Sequence, residues 1–360
     1  MPPSMSECCR RLSTWCFHLG SGFYGYLLMR CSVACEQEGP IRDLLCPRNG
    51  EERPSSLPVR MLASVHRLVL EGKAPKLAKF YPSVGGSVDL QPAWEAFCET
   101  VQQSFNRLAQ YIAAPVQTND IERSAGLLGG FGLIVRQARL PLRLLEIGTS
   151  GGLNLRWDRY YYQWAGGSWG SPQSPVHFEN LFPGDHPSLP KTIEIIDRIG
   201  CDLNPINVGD PEGQLILLSH VFPDEKDRIK DLKAAIAIAQ ELPCQIHKAS
   251  ARDWLELQLE KPRAGTATVV FHSIVWQYLS DSEQQRIIST IEEAGHRASE
   301  KAPLAWLRME PDQDRAVSEG YEVRLRIYPG FREQLIAIFQ HQWHVPSVHW
   351  LLNERPNASP

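Results

Sequence analysis

The chain has 360 residues, of which 43% are hydrophobic and 22% are charged, and its formal net charge is −4. This composition is typical of globular proteins and excludes a mostly disordered chain, and the length favours two domains. The slight acidic excess argues against nucleic acid as a partner, and the lack of an apolar run of about 18 residues argues against a membrane span.

The first third of the chain has a helical pattern, and we predict a helical cap domain over residues 1–128. Between residues 94 and 112, apolar side chains recur every three or four positions, which is typical of an amphipathic helix. Six of the nine cysteines lie within the first 46 residues, without the paired two-residue gaps of a zinc site. Because nine is an odd number, and small for a disulfide framework in a chain of this length, we expect reduced thiols and a cytoplasmic protein.

From about residue 140, short apolar runs alternate with amphipathic segments, a pattern that predicts a mostly parallel sheet with helices on both faces. We assign this α/β domain to residues 129–352, and residues 353–360 to a frayed tail. Helices are expected at 224–240, 281–296 and 331–340. Seven strands are predicted, at residues 143–147, 198–202, 244–247, 268–272, 304–309, 322–328 and 345–351.

One aromatic-rich segment interrupts this alternation. Residues 160–182 contain a Gly/Ser/Pro-rich turn at 165–174, with aromatic residues on both sides. A turn of this kind between aromatic runs favours a β-hairpin. We therefore predict an inserted β-hairpin arm over about residues 160–195.

The strongest motif is the sequence LLEIGTSGGLN at residues 144–154, in which a buried strand leads into a turn of small residues and then a helix. Small residues let the backbone approach a ligand closely, and a helix N-terminus offers unpaired N–H groups. The motif lacks the Gly-Lys-Ser/Thr of a P-loop. It also lacks two of the three glycines of a dinucleotide fingerprint, because Ser150 and Leu153 occupy those positions.

The same loop fits the acid–x–Gly–x–Gly–x–Gly motif of S-adenosylmethionine-dependent methyltransferases. Glu146, Gly148 and Gly152 match this motif, and Ser150 replaces its middle glycine. An acid at the strand end suits a ligand that carries an ammonium and a sulfonium group, whereas it would repel a pyrophosphate. We therefore predict that the loop binds S-adenosylmethionine; the alternative is a tight turn that binds no ligand. The predicted contacts come from Glu146, Gly148, Thr149, Ser150, Gly152 and Asn154.

A second acid supports this interpretation. The predicted strand 198–202 ends at Asp202, which Leu203 follows. In nucleoside-binding sheets an acid at this position accepts hydrogen bonds from the ribose hydroxyls, usually about 20 residues after the first motif. The inserted arm accounts for the longer separation here, so we assign Asp202 and Leu203 to the cofactor site. The alternative is that Asp202 forms a turn before Asn-Pro.

These and other motifs make the chain similar to the bacterial-type family called domain of unknown function 2332, whose members are similar to class I S-adenosylmethionine-dependent methyltransferases. The resemblance extends from about Cys9 to Leu351. Its motifs lie at residues 65–68, 81–83, 117–119, 146–155, 157–160, 202–205, 271–273 and 278–279. It implies a Rossmann-like methyltransferase sheet with a helical N-terminal part, and it implies no particular substrate.

One position departs from the family. Members carry Gly-Asp after the third strand, where the acid would face the adenine amino group, whereas this chain has Ser250 at the position of the aspartate. A serine still forms hydrogen bonds, with less charge and a shorter reach. We assign both Ser250 and the nearby Asp253 to the adenine end of the predicted cofactor site.

Three residues are candidates for the reaction itself, and a fourth, Arg159, would assist one of them in holding the substrate. His272 ends the fourth predicted strand, which in a methyltransferase sheet faces the transferred methyl group, and the ordinary pKa of a histidine suits a general base. Tyr278 is a candidate to orient the acceptor, and Asp158, with Arg159, to hold a polar group of the substrate. The alternatives are a core histidine, a packing tyrosine and an ion pair that fixes the inserted arm.

Residues 117–123, with the sequence QTNDIER, precede a predicted helix. Asn119 and Glu122 fit a capping pair at the start of that helix. The alternative is a lid that the helical domain lays over the cofactor. The predicted substrate or lid residues are Tyr81, Asn119, Arg123 and Arg159.

The leading hypothesis is methyl transfer from S-adenosylmethionine to a small molecule by in-line displacement, which requires alignment of the acceptor and no metal ion. The alternative is a methyltransferase-like fold whose cofactor site has decayed and which acts as a binding module, as the off-pattern Ser150 and Ser250 would allow. The missing glycines disfavour a nicotinamide-dependent oxidoreductase. A nucleic-acid methyltransferase is disfavoured because residues 272–275, HSIV, replace an Asn/Asp-Pro-Pro-aromatic motif.

Overall fold

The computed structural model describes residues 4–45, 56–311, 320–342 and 345–352. The chain forms two compact units, which we call the helical unit (Met1–Thr118 with Gly209–Lys233) and the sheet unit (Asn119–Val208 with Ala234–Pro360). The predicted frayed tail at 353–360 lies outside the described residues. Within the described ranges, no helix combines the length and the apolar character needed to cross a bilayer.

The helices are of short to medium length, and several carry clear end signals. In chain order they are α1 (Met5–His18), α2 (Gly22–Ala34), α3 (Pro40–Leu45), α4 (Leu57–Leu70), α5 (Pro75–Ala78), α6 (Leu90–Gln103), α7 (Phe105–Tyr111), α8 (Arg123–Ala138), α9 (Pro211–Ser219), α10 (Lys226–Glu241), α11 (Ala251–Gln258) and α12 (Asp281–Arg297). Helix α12 begins with a capping box, in which Ser280 and Glu283 satisfy each other's backbone N–H groups. Single 3-10 turns span Pro82–Val84 and Trp276–Tyr278, and a longer one spans Asn154–Arg159.

The core of the helical unit follows from apolar residues on one face of each helix. Helix α4 places Met61, Val65 and Leu68 three or four residues apart, and all three are fully buried. Helix α6 adds Phe97 and Val101 to the same core, and α7 adds Leu108. The apolar periodicity of residues 94–112 therefore marks a buried face, but on two helices that meet at Ser104 and not on one. The core also contains several thiols of the cysteine-rich N-terminal segment, namely Cys9, Cys16 and Cys31.

The division between the units differs from the predicted boundary at residue 128 in two respects. Helix α8 belongs to the sheet unit, where it packs against several strands, so the helical unit ends at Thr118. Helix α9 and the start of α10 belong to the helical unit, where Glu212 of α9 forms an ion pair with Arg67 of α4 at 2.7 Å. This contact joins residues far apart in sequence, so no local sequence pattern predicts it.

The sheet unit is built on an eight-stranded sheet. Its strands are β1 (Leu142–Ile147), β5 (Ile195–Asp202), β6 (Gln245–Lys248), β7 (Ala267–Ser273), β8 (Leu304–Pro311), β9 (Tyr321–Tyr328), β10 (Phe331–Gln342) and β11 (Val345–Trp350). The spatial order is β6-β5-β1-β7-β8-β9-β10-β11. The strands from β6 to β8 are parallel, and β9, β10 and β11 follow as an antiparallel meander. The carboxyl ends of the five parallel strands therefore lie along one edge, which we call the carboxyl edge.

The prediction of seven strands is wrong, because the sheet has eight. Residues 331–340, predicted as a helix, belong to strand β10, which pairs with β9 on one side and with β11 on the other. The apolar run between Leu335 and Phe339 fits a buried helix or a strand equally well. Pairing with a strand on each side decides in favour of a strand. Helices α9 and α11 also have no counterpart among the predicted elements.

A small second sheet follows the first strand–loop unit, in the region of the predicted arm. Strands β2 (Tyr161–Trp164) and β3 (Gly167–Trp169) form an antiparallel hairpin, and β4 (His177–Phe178) pairs with β2 in parallel. Next to the hairpin, the ring of Trp157 stacks on Phe131 of α8 at 4.3 Å and on Trp169 at 5.3 Å. Aromatic packing thus fixes this arm against the sheet unit.

Candidate functional site

The carboxyl edge brings together most of the residues predicted to bind a cofactor. Glu146 lies near the end of β1, Asp202 ends β5, Ser250 follows β6 and His272 lies near the end of β7. In open α/β sheets, ligands bind beside the carboxyl ends of the strands. This edge is therefore the candidate site, and residues 146–154, which we call the glycine loop, lie at its centre.

Unusual backbone angles shape the glycine loop. Gly148, Ser150 and Gly152 have φ values of 68°, 50° and 72°. A glycine adopts such angles without strain, whereas for Ser150 the left-handed conformation is costly. The N–H groups of Gly148 and Thr149 donate to the carbonyl of Cys201 on β5, at 2.9 and 3.1 Å. The loop is thus folded back onto the neighbouring strand.

Asp202 holds the loop in this conformation. Its Oδ2 accepts the N–H of Ser150 at 2.9 Å, and its Oδ1 accepts the N–H of Asn204 at 2.8 Å. A carboxylate has about four acceptor positions, so each oxygen of this half-buried side chain can accept one more hydrogen bond. The adjacent Leu203 is 61% exposed and offers an apolar surface beside the carboxylate.

Glu146, the acid of the loop, is buried, with 2% of its surface exposed. It accepts a hydrogen bond from the hydroxyl of Thr149. The pKa of Glu146 is raised to about 8, chiefly by burial and with a smaller contribution from the charge of Asp202, against the opposing effects of the Thr149 hydrogen bond, Arg156 and Arg123. A cation bound near this carboxyl would favour its charged form.

The segment before α8 joins the glycine loop to the end of β7. Oδ1 of Asn119 accepts the N–H of Leu153 at 3.0 Å, and Nδ2 of Asn154 donates to the carbonyl of Asp120 at 3.1 Å. Arg123 donates to the carbonyl of Ser273 at 3.0 Å. Two of the predicted lid residues, Asn119 and Arg123, therefore lie at the site.

The interpretation of Asn119 and Glu122 as a capping pair is wrong. Helix α8 begins at Arg123, its N-cap is Glu122, and no side chain caps it. The amide oxygen of Asn119 is instead engaged by the glycine loop, in a contact across 34 residues of sequence. A tertiary partner has replaced the local one that the spacing suggested.

His272 is fully buried and both of its ring nitrogens have partners. Nδ1 donates to Oε1 of Glu310 at 2.6 Å, and Nε2 accepts from the indole N–H of Trp306 at 3.1 Å. The ring also stacks on Trp276, with centroids 5.0 Å apart. Action as a general base would therefore require release of the Trp306 contact, and this role stays a prediction.

Glu310 extends this network to the segment that follows β7. Its carboxylate also accepts the N–H groups of Val275 at 3.1 Å and Trp276 at 3.2 Å. A Cβ atom on Gly148 would lie 2.5 Å from Cγ2 of Val275, so the glycine loop packs directly against this segment. The His272–Glu310 pair thus positions one wall of the site.

The two residues predicted at the adenine end form a local cap. Oγ of Ser250 accepts the N–H of Asp253 at 3.2 Å, at the N-terminus of α11, and donates to Oδ2 of Asp253 at 2.7 Å. Asp253 is exposed, and its hydrogen bond with Arg252 holds its pKa below the ordinary value. Both side chains follow β6, the edge strand next to β5.

The remaining candidates are spread more widely. Asp158 forms a bidentate ion pair with Arg198 of β5, at 2.7 and 2.8 Å, which holds the segment after the glycine loop against that strand. The neighbouring Arg159 is mostly exposed. Tyr278 is 48% exposed, on the 3-10 turn after β7. Tyr81 is fully buried within the helical unit, against Phe23 and a histidine, and is a core residue there.

One residue that holds the site together was not among the predicted site residues. Arg156 donates to the carbonyl of Gly152 at 2.6 Å and to those of Leu242 at 2.7 Å and Ala239 at 3.3 Å. It therefore clamps the glycine loop to the end of α10. Its place directly after the loop motif is a signal, but its two partners in and after α10 lie more than 80 residues away.

Comparison with known proteins gives a family and nothing more specific. Residues 6–350 match the family described as "Uncharacterized protein conserved in bacteria (DUF2332)". The match covers nearly the whole chain, so the chain belongs to this family. Neither a curated protein nor a solved structure matches it.

Proposed function

We propose that this member of the DUF2332 family is an S-adenosylmethionine-dependent methyltransferase that acts on a small molecule, with a sheet unit of the class I methyltransferase type. One observation carries the proposal: a glycine loop after β1 is held by the acid that ends the neighbouring strand β5, at the carboxyl edge. This is the arrangement in which open α/β sheets bind nucleoside ligands.

The order of the strands supports an adenosyl ligand. Strands β1, β5 and β6 are consecutive neighbours, so the glycine loop, Asp202 and Ser250 follow one another along the edge. The methionine part would lie on the glycine loop, the ribose hydroxyls would donate to Asp202, and the adenine would lie beside Leu203, towards Ser250 and Asp253. The spare acceptor positions of Asp202 are those that a ribose diol needs.

The methyl-accepting side would lie towards the end of β7. There the glycine loop packs against Val275, and Arg123 holds the carbonyl of Ser273. In-line transfer requires above all that the acceptor be aligned with the sulfonium methyl group. The segment 273–278, which Glu310 holds in place, would provide this alignment, with Tyr278 as the exposed contact.

Isothermal titration tests the proposal, with S-adenosylmethionine and S-adenosylhomocysteine as ligands and NAD as a control ligand. Both adenosyl ligands should bind, and Asp202→Ala should weaken binding at least tenfold, because a hydrogen bond to a charged group contributes about 1.5–3 kcal/mol. Asp210→Ala is a matched control, because the exposed Asp210 also accepts a backbone N–H, from Glu212 at 3.0 Å, outside the site.

A Gly148→Val variant would be a poor test, since its Cβ would clash with Val275 and its φ is positive. Binding of NAD in place of the adenosyl ligands would indicate an oxidoreductase. If neither kind of ligand binds to a folded chain, the proposal fails and the non-catalytic binding module becomes the better account.

A further inference from the structure

Three metal-ligating side chains meet outside the set of predicted site residues. Nδ1 of His341 lies 3.0 Å from Oε2 of Glu122, and Nε2 of the same ring lies 3.6 Å from Oδ2 of Asp120. One ligand atom can be taken from each residue such that all three lie within 4.8 Å of one another. The three side chains are only 7–16% exposed, so this Asp120–Glu122–His341 cluster is largely enclosed.

The topology explains why residues so far apart in sequence meet here. Asp120 and Glu122 directly precede α8, which packs against the strands from β8 to β11. Strand β10 runs parallel to β8, because both are antiparallel to β9. His341, near the end of β10, therefore lies at the carboxyl edge. Since Asn154 of the glycine loop donates to the carbonyl of Asp120 at 3.1 Å, the cluster adjoins the candidate site.

The ligand types of the cluster suit a cation. Two carboxylates face one imidazole, and Nε of Arg123 lies 3.9 Å from Oδ2 of Asp120. Asn154 supplies an independent observation: it is 2% exposed, and its Oδ1 accepts no hydrogen bond from any residue in the described ranges. A buried oxygen without a donor is costly, and a metal ion or the water on it would provide the missing partner.

We propose that Asp120, Glu122 and His341 bind a divalent transition-metal ion. Imidazole and carboxylate ligands together suit Mn²⁺, Fe²⁺ and Zn²⁺, and three protein ligands leave a coordination position open for an exogenous oxygen.

The metal site also indicates a class of methyl acceptor. This extension rests on the proposed function. Arg123 connects the cluster to the carbonyl of Ser273, at the end of β7 where the methyl acceptor would lie. A divalent ion lowers the pKa of a bound hydroxyl and orients it. The acceptor would then be a small molecule with a metal-binding hydroxyl. That oxygen, after losing its proton to water, would form the new O–CH3 bond as the S–CH3 bond of S-adenosylmethionine breaks and S-adenosylhomocysteine leaves.

The test measures metal binding by the full chain, after treatment with EDTA and dialysis, without any adenosyl ligand. Mn²⁺ is the probe, because the chain has eight free cysteines within its described residues and thiolates prefer softer ions such as Zn²⁺. Loss of the electron paramagnetic resonance signal of free Mn²⁺ reports binding. We expect one Mn²⁺ per chain.

Variants and a control make this test specific. His341→Gln and Glu122→Gln should each weaken Mn²⁺ binding at least about tenfold, whereas His349→Gln should leave it unchanged, because His349 is an exposed histidine on the neighbouring strand β11. Thermal unfolding of each variant establishes that it is folded. A folded wild-type chain that binds no stoichiometric Mn²⁺, or binding that survives both substitutions, would overturn the proposal.

The outcome is independent of the proposed function. If Mn²⁺ binds as expected but S-adenosylmethionine does not, the metal site stands and the methyltransferase proposal fails. If S-adenosylmethionine binds and Mn²⁺ does not, the reverse holds. The acceptor class requires both results, together with methyl transfer that depends on added Mn²⁺.

Discussion

The apolar core of the helical unit and the carboxyl edge of the sheet unit enclose polar groups in different ways. In the core of the helical unit, His66 contacts neutral groups, among them the hydroxyl of Ser83 at 2.8 Å and the carbonyl of Ser219 at 3.2 Å, and burial lowers its pKa to about 4. Burial likewise raises the pKa of the core thiol of Cys16 to about 12. Both side chains are therefore uncharged near neutral pH.

The sheet unit instead encloses ionisable groups along and beside its carboxyl edge. Its buried acids and bases hold one another or the backbone: Asp158 pairs with Arg198, Glu310 pairs with His272, and Arg156 clamps the glycine loop. Enclosing such groups is costly unless their partners are complete. The helical core is therefore stabilised by apolar packing. The carboxyl edge instead holds a defined arrangement of polar groups at a cost in stability, as functional sites do.

The largest expected effect is on the buried ion pair of the sheet unit. Arg198→Met should lower the free energy of unfolding by about 3–5 kcal/mol, because it leaves the carboxylate of Asp158 enclosed without its cation. Arg252→Met is the matched control: Arg252 pairs with Asp253 at 2.8 Å, but both side chains are at least half exposed, so a much smaller loss is expected. Urea unfolding measures both, and equal losses would remove the contrast.

The next effect is a pH dependence in the sheet unit. The pKa of Glu146 is raised by burial from 4.5 to about 8, so the folded chain binds this proton more tightly than the unfolded chain. The stability from this group is complete below pH 4.5 and is lost as pH rises towards 8, by about 1.4 kcal/mol per pH unit. Glu146→Gln, which cannot ionise, should gain about 3 kcal/mol relative to wild type between pH 5.5 and 7.5. Urea titrations at several pH values measure the free energy of unfolding of both chains. If the wild type and Glu146→Gln change in parallel with pH, this prediction is contradicted.

The helical unit should show the opposite dependence. Because burial lowers the pKa of His66 from 6.5 to about 4, the unfolded chain binds the proton more tightly. The stability from this group is present above pH 6.5 and is lost as pH falls towards 4. His66→Gln should therefore lose stability less steeply than wild type, with a relative gain of about 2 kcal/mol between pH 6 and 4.5. If acid destabilises both chains alike, His66 is not the group responsible.

The smallest effect concerns the strained serine of the glycine loop. Ser150→Gly should raise stability by about 0.5 kcal/mol, since relief of the left-handed conformation is partly offset by a more flexible unfolded chain. Asn180→Gly is the comparison, because Asn180 also has a positive φ, 57°, but asparagine tolerates that conformation well. Calorimetric melting should resolve a gain at position 150 and none at 180; a loss at 150 would show that the serine side chain stabilises the loop.

Local sequence patterns predicted those parts of the fold that depend on local physics. Strands β1, β5, β6, β7, β8, β9 and β11 lie close to their predicted positions, because apolar runs bounded by turn residues mark buried strands. Strand β10 could not be predicted in this way, because its apolar run fits both the periodicity of a helix and that of a strand. Its pairing with β9 and β11 makes it a strand. The assignment of 209–233 to the helical unit likewise depends on distant partners such as Arg67 and Glu212.

The same limit applies to the candidate site. The glycine loop and Asp202 could be predicted because each is a local motif at the end of a strand. The engagement of His272 by Glu310 and Trp306, and the approach of His341 to Asp120, join residues between 34 and about 220 positions apart. No local spacing encodes such contacts, which arise from strand order and register.

The central claim, that the glycine loop and Asp202 bind an adenosyl ligand, is tested most directly by hydrogen exchange with and without S-adenosylhomocysteine. Mass spectrometry of peptides reports which backbone amides the ligand protects. The account predicts slower exchange in peptides that cover residues 146–154 and 199–205, and unchanged exchange in the helical core around residues 61–69. No protection at a saturating ligand concentration, or protection confined to other segments, would contradict it.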